Sequence, residues 1–418
     1  MARTVFRNAN LLDGTSAAQP TMSVAVDGDR ITAVAPAASF RALPDDTVID
    51  LAGQTLMPGL IQSHWHGSYR GIDFACPPVG LEKPPGYLML IAAKHAQLAL
   101  SFGYTTVIGA ATGDALDAQL KWAITDGIVE GPRIIPCGRW LITTGDANDF
   151  PEYWWWGKLA KGAQEICDGP YEFRRAVRQE IKEGAEIIKV FADAGHALIY
   201  GKGHVSMAQD EVDAVVQATH DRGKKVRAHV DTKRGILNAI KSGIDLLDHA
   251  DEMDEECIDA MAESGVGVCP SMYFPKAVIQ RMVDDGLGWE KRPMAVEIQR
   301  DLDRMSGLLP YAAKRGARFL VGDDWGTAMT PHGQYNRELE LYVECGVPAL
   351  DVIRWATANA AEFLGMKGQL GCVAEGAIAD LVVVKGDPSR NIALLGDKEN
   401  IRAVLKEGAF TKAPSVAA

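Results

Sequence analysis

Eight short apolar runs alternate with amphipathic stretches through the middle of this chain, and that alternation leaves few folds open. The runs cover 56–63, 104–110, 133–140, 186–192, 225–230, 245–249, 265–270 and 318–323. Helical spacing of apolar residues marks 87–101, 115–125, 171–183 and 210–221. Ser206-Met207-Ala208-Gln209 reads as a capping box ahead of the last of these. Eight strands interleaved with helices predict an α/β fold, a (β/α)8 TIM-type barrel over 58–365. The alternation is least clear over 274–311. The two ends read differently, as short β segments at 4–9, 23–26, 30–34, 47–50, 379–384 and 401–405, with Asp27-Gly28 as a hairpin turn. Neither end carries enough apolar surface for a core of its own. Residues 1–57 and 366–418 are therefore expected to form one small β-sandwich.

Bulk properties narrow the partners. A chain of 418 residues suggests two or three domains, although β/α barrels run past 200 residues as one. Hydrophobic residues make up 47%, ample for a large core. A net charge of −12, from 43 basic and 55 acidic residues, argues against nucleic acid or an anionic membrane. The seven cysteines are odd in number and form no C-x-x-C pair, so a disulfide framework or thiolate zinc site is not expected. Reduced core thiols suit a cytoplasmic protein. The first residues lack the apolar core of a signal peptide, and no apolar run reaches transmembrane length. A small-molecule substrate is the expected partner, with homo-oligomerisation left open.

Barrel enzymes place their chemistry at the carboxyl ends of the strands. Reactive residues stand there in this chain. His64 and His66 end the first run, and Lys189 lies in the fourth. His229 ends the fifth, His249 the sixth, and Asp323-Asp324 the eighth. Residues two apart on a strand share a face, so His64 and His66 leave it side by side, as two ligands of one ion need. Neutral imidazole is a good zinc ligand. A lone histidine is more often a hydrogen-bonded core residue; histidines at several strand ends are poorly explained that way. Lys189 sits among Ile187, Ile188, Val190 and Phe191. Burial favours the neutral amine of a lysine, which can react with carbon dioxide to form a carbamate. The alternative is a buried ammonium paired with a carboxylate.

The order His-x-His, Lys, His, His, Asp over the first, fourth, fifth, sixth and eighth strands resembles the metal site of the amidohydrolase superfamily. Pro58-Gly59-Leu60-Ile61-Gln62-Ser63-His64-Trp65-His66 looks like its first-strand motif. Gly103-Tyr104-Thr105-Thr106, 357–361, Leu364-Gly365 and 376–383 resemble its later segments, so the likeness spans almost the whole chain. Ile188-Lys189 and His204-Val205-Ser206 fit the prolidase-like and imidazolonepropionase-like branch. The resemblance implies two divalent ions, zinc by expectation, held by His64, His66, Lys189, His229, His249 and Asp324. Lys189 would bridge them as its carbamate, and a bridging hydroxide would attack the carbonyl. Strands of the family often end Gly-Thr-Asp-x-Gly, which aligns Gly322-Asp323-Asp324-Trp325-Gly326 with Asp324 as ligand and general base. Alternation puts Asp323 on the opposite face.

His95 and His220 lie in helical segments and are read as packing or surface residues, and His204 as structural. His196 and His332 follow the fourth and eighth strands; each is a candidate substrate contact or an ordinary loop residue. Tyr153-Trp154-Trp155-Trp156 follows the third strand. Trp154, Trp155 and Trp156 could wall an apolar or aromatic substrate, or form a subunit interface. In dipeptidase-like relatives this loop often carries Gly-Gly-His-Gly-Asp, and Thr144-Gly145-Asp146-Ala147-Asn148-Asp149 lacks that histidine. The expected reaction is hydrolysis of a carbon–nitrogen amide bond beside an apolar or aromatic group. Alternatives are a Xaa-Pro-type dipeptidase, a cyclic-amide or heterocycle hydrolase or deaminase, and a non-catalytic binding paralogue.

Overall fold

The computed structural model describes residues 3–72, 79–146, 149, 162–193 and 204–414. Strands from both ends of the sequence share one eight-stranded mixed sheet. Its order is Ala409–Lys412, Ile401–Lys406, Leu381–Val384, Thr55–Pro58, Thr4–Leu11, Gln19–Asp27 and Arg30–Pro36, with Thr47–Asp50 paired to Thr4–Leu11. Phe6, Leu11, Val24, Leu56, Val383 and Leu405 form its own apolar cluster, which neither end could assemble alone.

The apolar run 56–63 is not one strand. It divides at Gly59. Thr55–Pro58 pairs antiparallel with Leu381–Val384, while Leu60–Trp65 pairs parallel with Tyr104–Gly109. Gly59 N donates to Asp380 O at 2.8 Å, and the next amide, Leu60 N, donates to Gly103 O at 2.9 Å. The chain changes sheets within one peptide unit. A Cβ at position 59 would collide with the Thr105 side chain, so glycine is needed for the close approach.

The centre forms two parallel sheets. One holds Leu60–Trp65, Tyr104–Gly109 and Arg133–Ile135. The other runs Gln164–Ile166, Trp140–Ile142, Ile187–Phe191, Lys225–Val230, Leu246–His249, Gly267–Cys269 and Arg318–Phe319. Every residue of Leu60–Trp65 and Ile187–Phe191 is buried. Strands covered on both faces read as continuous apolar runs rather than as alternation. Backbone bonds join the two sheets: Ile187 N to Pro136 O at 3.1 Å, and Ser63 N to Val321 O at 2.8 Å.

Further details refine the sequence reading. The run 133–140 yields two strands, Arg133–Ile135 and Trp140–Ile142. The run 318–323 keeps a ladder only at Arg318–Phe319, so Asp323 and Asp324 lie on irregular backbone beyond it. The segment 274–311 folds into the helices Tyr273–Asp284 and Pro293–Arg315. The capping box is also shifted. Ser206 N and Met207 N still donate to Ala192 O, so the helix Gln209–His220 begins later, and Glu211 reaches back to Ala208 N at 2.8 Å. No helix among the described residues is long and apolar enough to cross a membrane. Cys137, Cys167, Cys257 and Cys269 are buried free thiols.

Gly59→Ala should destabilise the protein by about 1–3 kcal/mol, the usual scale of overpacking. Urea unfolding measures this, and Thr105→Ala in the same chain should recover part of the loss.

Candidate metal centre

His64 and His66 share a face of their strand, and their Nε2 atoms lie 3.2 Å apart. Asp324 Oδ1 lies 3.0 Å from His64 Nε2 and 3.2 Å from His66 Nε2. Three ligand atoms thus converge from two distant parts of the sequence in a buried place. A tetrahedral zinc ion with bonds of about 2.0–2.1 Å separates its ligands by about 3.3 Å, so this donor set fits such an ion. Burial pushes the His64 imidazole down to about 3, against the pull of Asp248 and Asp324, which keeps it neutral as a ligand must be. Its other nitrogen, Nδ1, lies 3.0 Å from Ser271 Oγ, a contact that fixes the ring.

The remaining predicted ligands cluster beside this group. The His249 ring stands 4.3 Å from that of His229 and 5.3 Å from that of His64, centre to centre. His249 and Ala250 have φ of 74° and 60°, left-handed values that break strand alternation. The neighbours Asp248 and His249 therefore both serve the interior. Lys189 Nζ donates to Asp248 Oδ2 at 2.5 Å, the buried ammonium–carboxylate pair. Arg227 grips the same carboxylate through Nε at 2.9 Å and Nη2 at 2.5 Å. Burial opposes the charge on Asp248, but Arg227 and Lys189 outweigh it and hold the carboxyl below its usual range. His229 Nε2 lies 3.3 Å from Asp231 Oδ2. The backbone N–H groups of Asp231 and Thr232 donate in turn to Asp193, which pins that loop.

Asp323 faces away from the histidines. Its Oδ2 accepts from Phe274 N at 2.8 Å, and burial, then Glu338, raise its carboxyl well above the ordinary range. Glu338 accepts from Met272 N at 2.8 Å and Tyr273 N at 2.7 Å, and burial pushes it up to about 7. This buried pair therefore anchors the start of the helix Tyr273–Asp284. His332 lies behind the site, Nε2 3.2 Å from the His66 carbonyl and Nδ1 2.9 Å from the Tyr335 hydroxyl, with His95 stacked on it. His196, Tyr153, Trp154, Trp155 and Trp156 lie outside the described residues.

An aromatic wall that the sequence reading missed borders the ligands. Tyr69 stacks on His66 at 4.4 Å, and Phe191 stacks on His229 at 4.3 Å. Trp140 joins them edge-on, 6.4 Å from Tyr69 and 5.3 Å from Phe191. Arg227, Asp248, Asp231 and Ser271 were missed as well. Arg227, Asp248 and Asp231 stand one or two positions from a candidate ligand, a signal the sequence carried; Ser271 follows the strand Gly267–Cys269 and carries no such signal.

The amidohydrolase family model matches residues 55–410. This chain belongs to the amidohydrolase family. It is a hydrolase of carbon–nitrogen bonds in a metal-dependent family, and its histidine and aspartate groups can hold metal. Ochratoxinase of Aspergillus niger is 30% identical over 386 residues, covering 86% of this chain and 76% of that protein. The crystal structure of that ochratoxinase superposes with a TM-score of 0.85 over 100% of this chain and 97% of its own, at 26% identity. A Xaa-Pro dipeptidase structure with bound methionine gives 0.84 at 30% identity, covering 99% of this chain and 100% of its own.

Protein purified without chelator should carry between one and two equivalents of a divalent metal per chain by elemental analysis. His64→Ala and His249→Ala should each lose metal. Zero metal, with activity surviving chelation, would exclude the metal centre.

Proposed function

We propose that this amidohydrolase cleaves the carbon–nitrogen amide bond of a small substrate bearing an apolar or aromatic group. The observation that carries the reading is the convergence of His64 Nε2, His66 Nε2 and Asp324 Oδ1. These three would hold one divalent ion, and His229 and His249 a second, both zinc on this reading. Lys189 would lie between them as its carbamate, formed when the neutral amine adds carbon dioxide and releases a proton; this exchanges its ammonium pair with Asp248 for an anion. When bound, the ions polarise the scissile carbonyl and lower the pKa of a water molecule. Asp324 accepts the proton of the attacking water and delivers it to the leaving nitrogen.

The two parallel sheets are proposed to be arcs of one closed (β/α)8 barrel over 58–365. The Ser63–Val321 and Ile187–Pro136 backbone bonds support closure at both seams. Residues 1–57 and 366–418 form the composite β domain on this reading. Buried thiols support a reducing compartment, the cytoplasm.

Tyr69, Trp140 and Phe191 present apolar area beside the ligands, which supports an aromatic group in the substrate. The sequence reading offers His196, His332, Trp154, Trp155 and Trp156 as substrate contacts. The likeness to a Xaa-Pro dipeptidase keeps small dipeptides as the second reading.

A screen of zinc-loaded protein against N-acyl aromatic amino acids, aryl amides, dipeptides and cyclic amides decides between them. Aromatic amides should turn over best; preference for small charged dipeptides would overturn the substrate reading. Asp324→Asn should lower kcat on the order of 10²-fold or more, the scale of a lost general base, and Asp323→Asn much less. Trp155→Ala should raise KM more than it lowers kcat, the pattern of lost uniform binding.

A further inference from the structure

Arg227 lies two residues before His229 and is 0% exposed. Its Nη1 donates to Ser63 O at 2.9 Å and Gly109 O at 2.8 Å, and its Nε and Nη2 hold Asp248. The partners belong to three other strands: Leu60–Trp65, Tyr104–Gly109 and Leu246–His249. Ser63 directly precedes His64, and Asp248 directly precedes His249. Asp248 also takes Lys189 Nζ and stands 3.6 Å from His64 Nδ1. One guanidinium is thus bonded to groups adjoining the candidate ligands of separate strands.

We propose that Arg227 is a positioning residue of the metal centre, setting the relative placement of His64, His229 and His249 through Ser63, its own strand and Asp248. The inference rests on the metal-centre reading above. The chemistry of the side chain favours it. A planar fork of fixed donors reaches two carbonyls and both oxygens of a carboxylate at once, which a lysine ammonium with its donors on one atom cannot do. Stability alone does not account for it. A buried ion pair adds little net stability, and apolar residues of similar volume often replace one without loss. The fork specifies position, which an apolar residue cannot.

The test compares wild type, Arg227→Lys and Asp248→Asn by zinc competition against a chelator and by the visible spectrum of cobalt-loaded protein. Circular dichroism and urea unfolding of each metal-free protein check the fold. Folded Arg227→Lys should bind zinc about 10–100-fold more weakly, the cost typical of losing a group that orients ligands. Its cobalt bands should shift in position and intensity, and Asp248→Asn should change in the same direction. Where one variant folds and the other does not, the folded one decides. Wild-type affinity and an unchanged cobalt spectrum in a folded variant overturn the proposal. Failure of both variants to fold also overturns it, by assigning the cluster to stability. Wild type that takes up neither zinc nor cobalt removes the metal centre itself, a result distinct from either.

Discussion

Lys189 and Arg227 carry their side chains into the interior at 1% and 0% exposure, and the carboxylate of Asp248 between them is what makes that tolerable. Desolvating an ion costs several kcal/mol, recovered only with close geometry and saturated hydrogen bonding. Asp248 meets that requirement by accepting from both cations, and Arg227 spends its remaining donors on two strand carbonyls. The strand ends that bear His64, His229 and His249 are therefore tied to one charged cluster beneath them. Removing Asp248 leaves two buried cations without their shared carboxylate, and removing either cation leaves that carboxylate one partner short, so the sequence at 189, 227 and 248 is constrained as a set.

The donors above this cluster are arranged for binding rather than for one another. His64 Nε2, His66 Nε2 and Asp324 Oδ1 crowd within 3.0–3.2 Å, closer than three groups gain from hydrogen bonding alone, since one ring N–H serves one acceptor well. Burial keeps His64 neutral, and Ser271 occupies its far nitrogen. Tyr69 and Phe191, stacked on His66 and His229, restrict the imidazole planes. On the proposed reading the same apolar wall would border the substrate.

Much of this was legible because buried parallel strands announce themselves as apolar runs, and a histidine or lysine at the end of such a run is conspicuous. The fourth, fifth and sixth strands lie close to where the pattern put them. The division at Gly59 was not legible: Leu56 to Ile61 carries no polar side chain, and only the Thr105 contact shows why the chain must break there. Asp248 escaped notice because alternation assigns it the face opposite His249, a rule that fails where His249 turns to positive φ. Arg227 stood on the same face as His229 by simple counting. The structure surrounds it with acceptors on three other strands.

The strand exchange at Gly59 bears on how the protein is made. Leu60–Trp65, which delivers His64, is the direct continuation of Thr55–Pro58, whose partner Leu381–Val384 lies more than three hundred residues later. On a ribosome, the parallel strands can collapse as they emerge, because each finds its neighbour nearby in sequence. The edge that anchors the first ligand strand must wait for residues 381–384. Closing so long a loop is slow relative to local pairing. Until it closes, Leu60–Trp65 is held through Tyr104–Gly109 without the Leu381–Val384 pairing behind it. The pairing behind the strand of His64 and His66 is thus among the most distant in sequence.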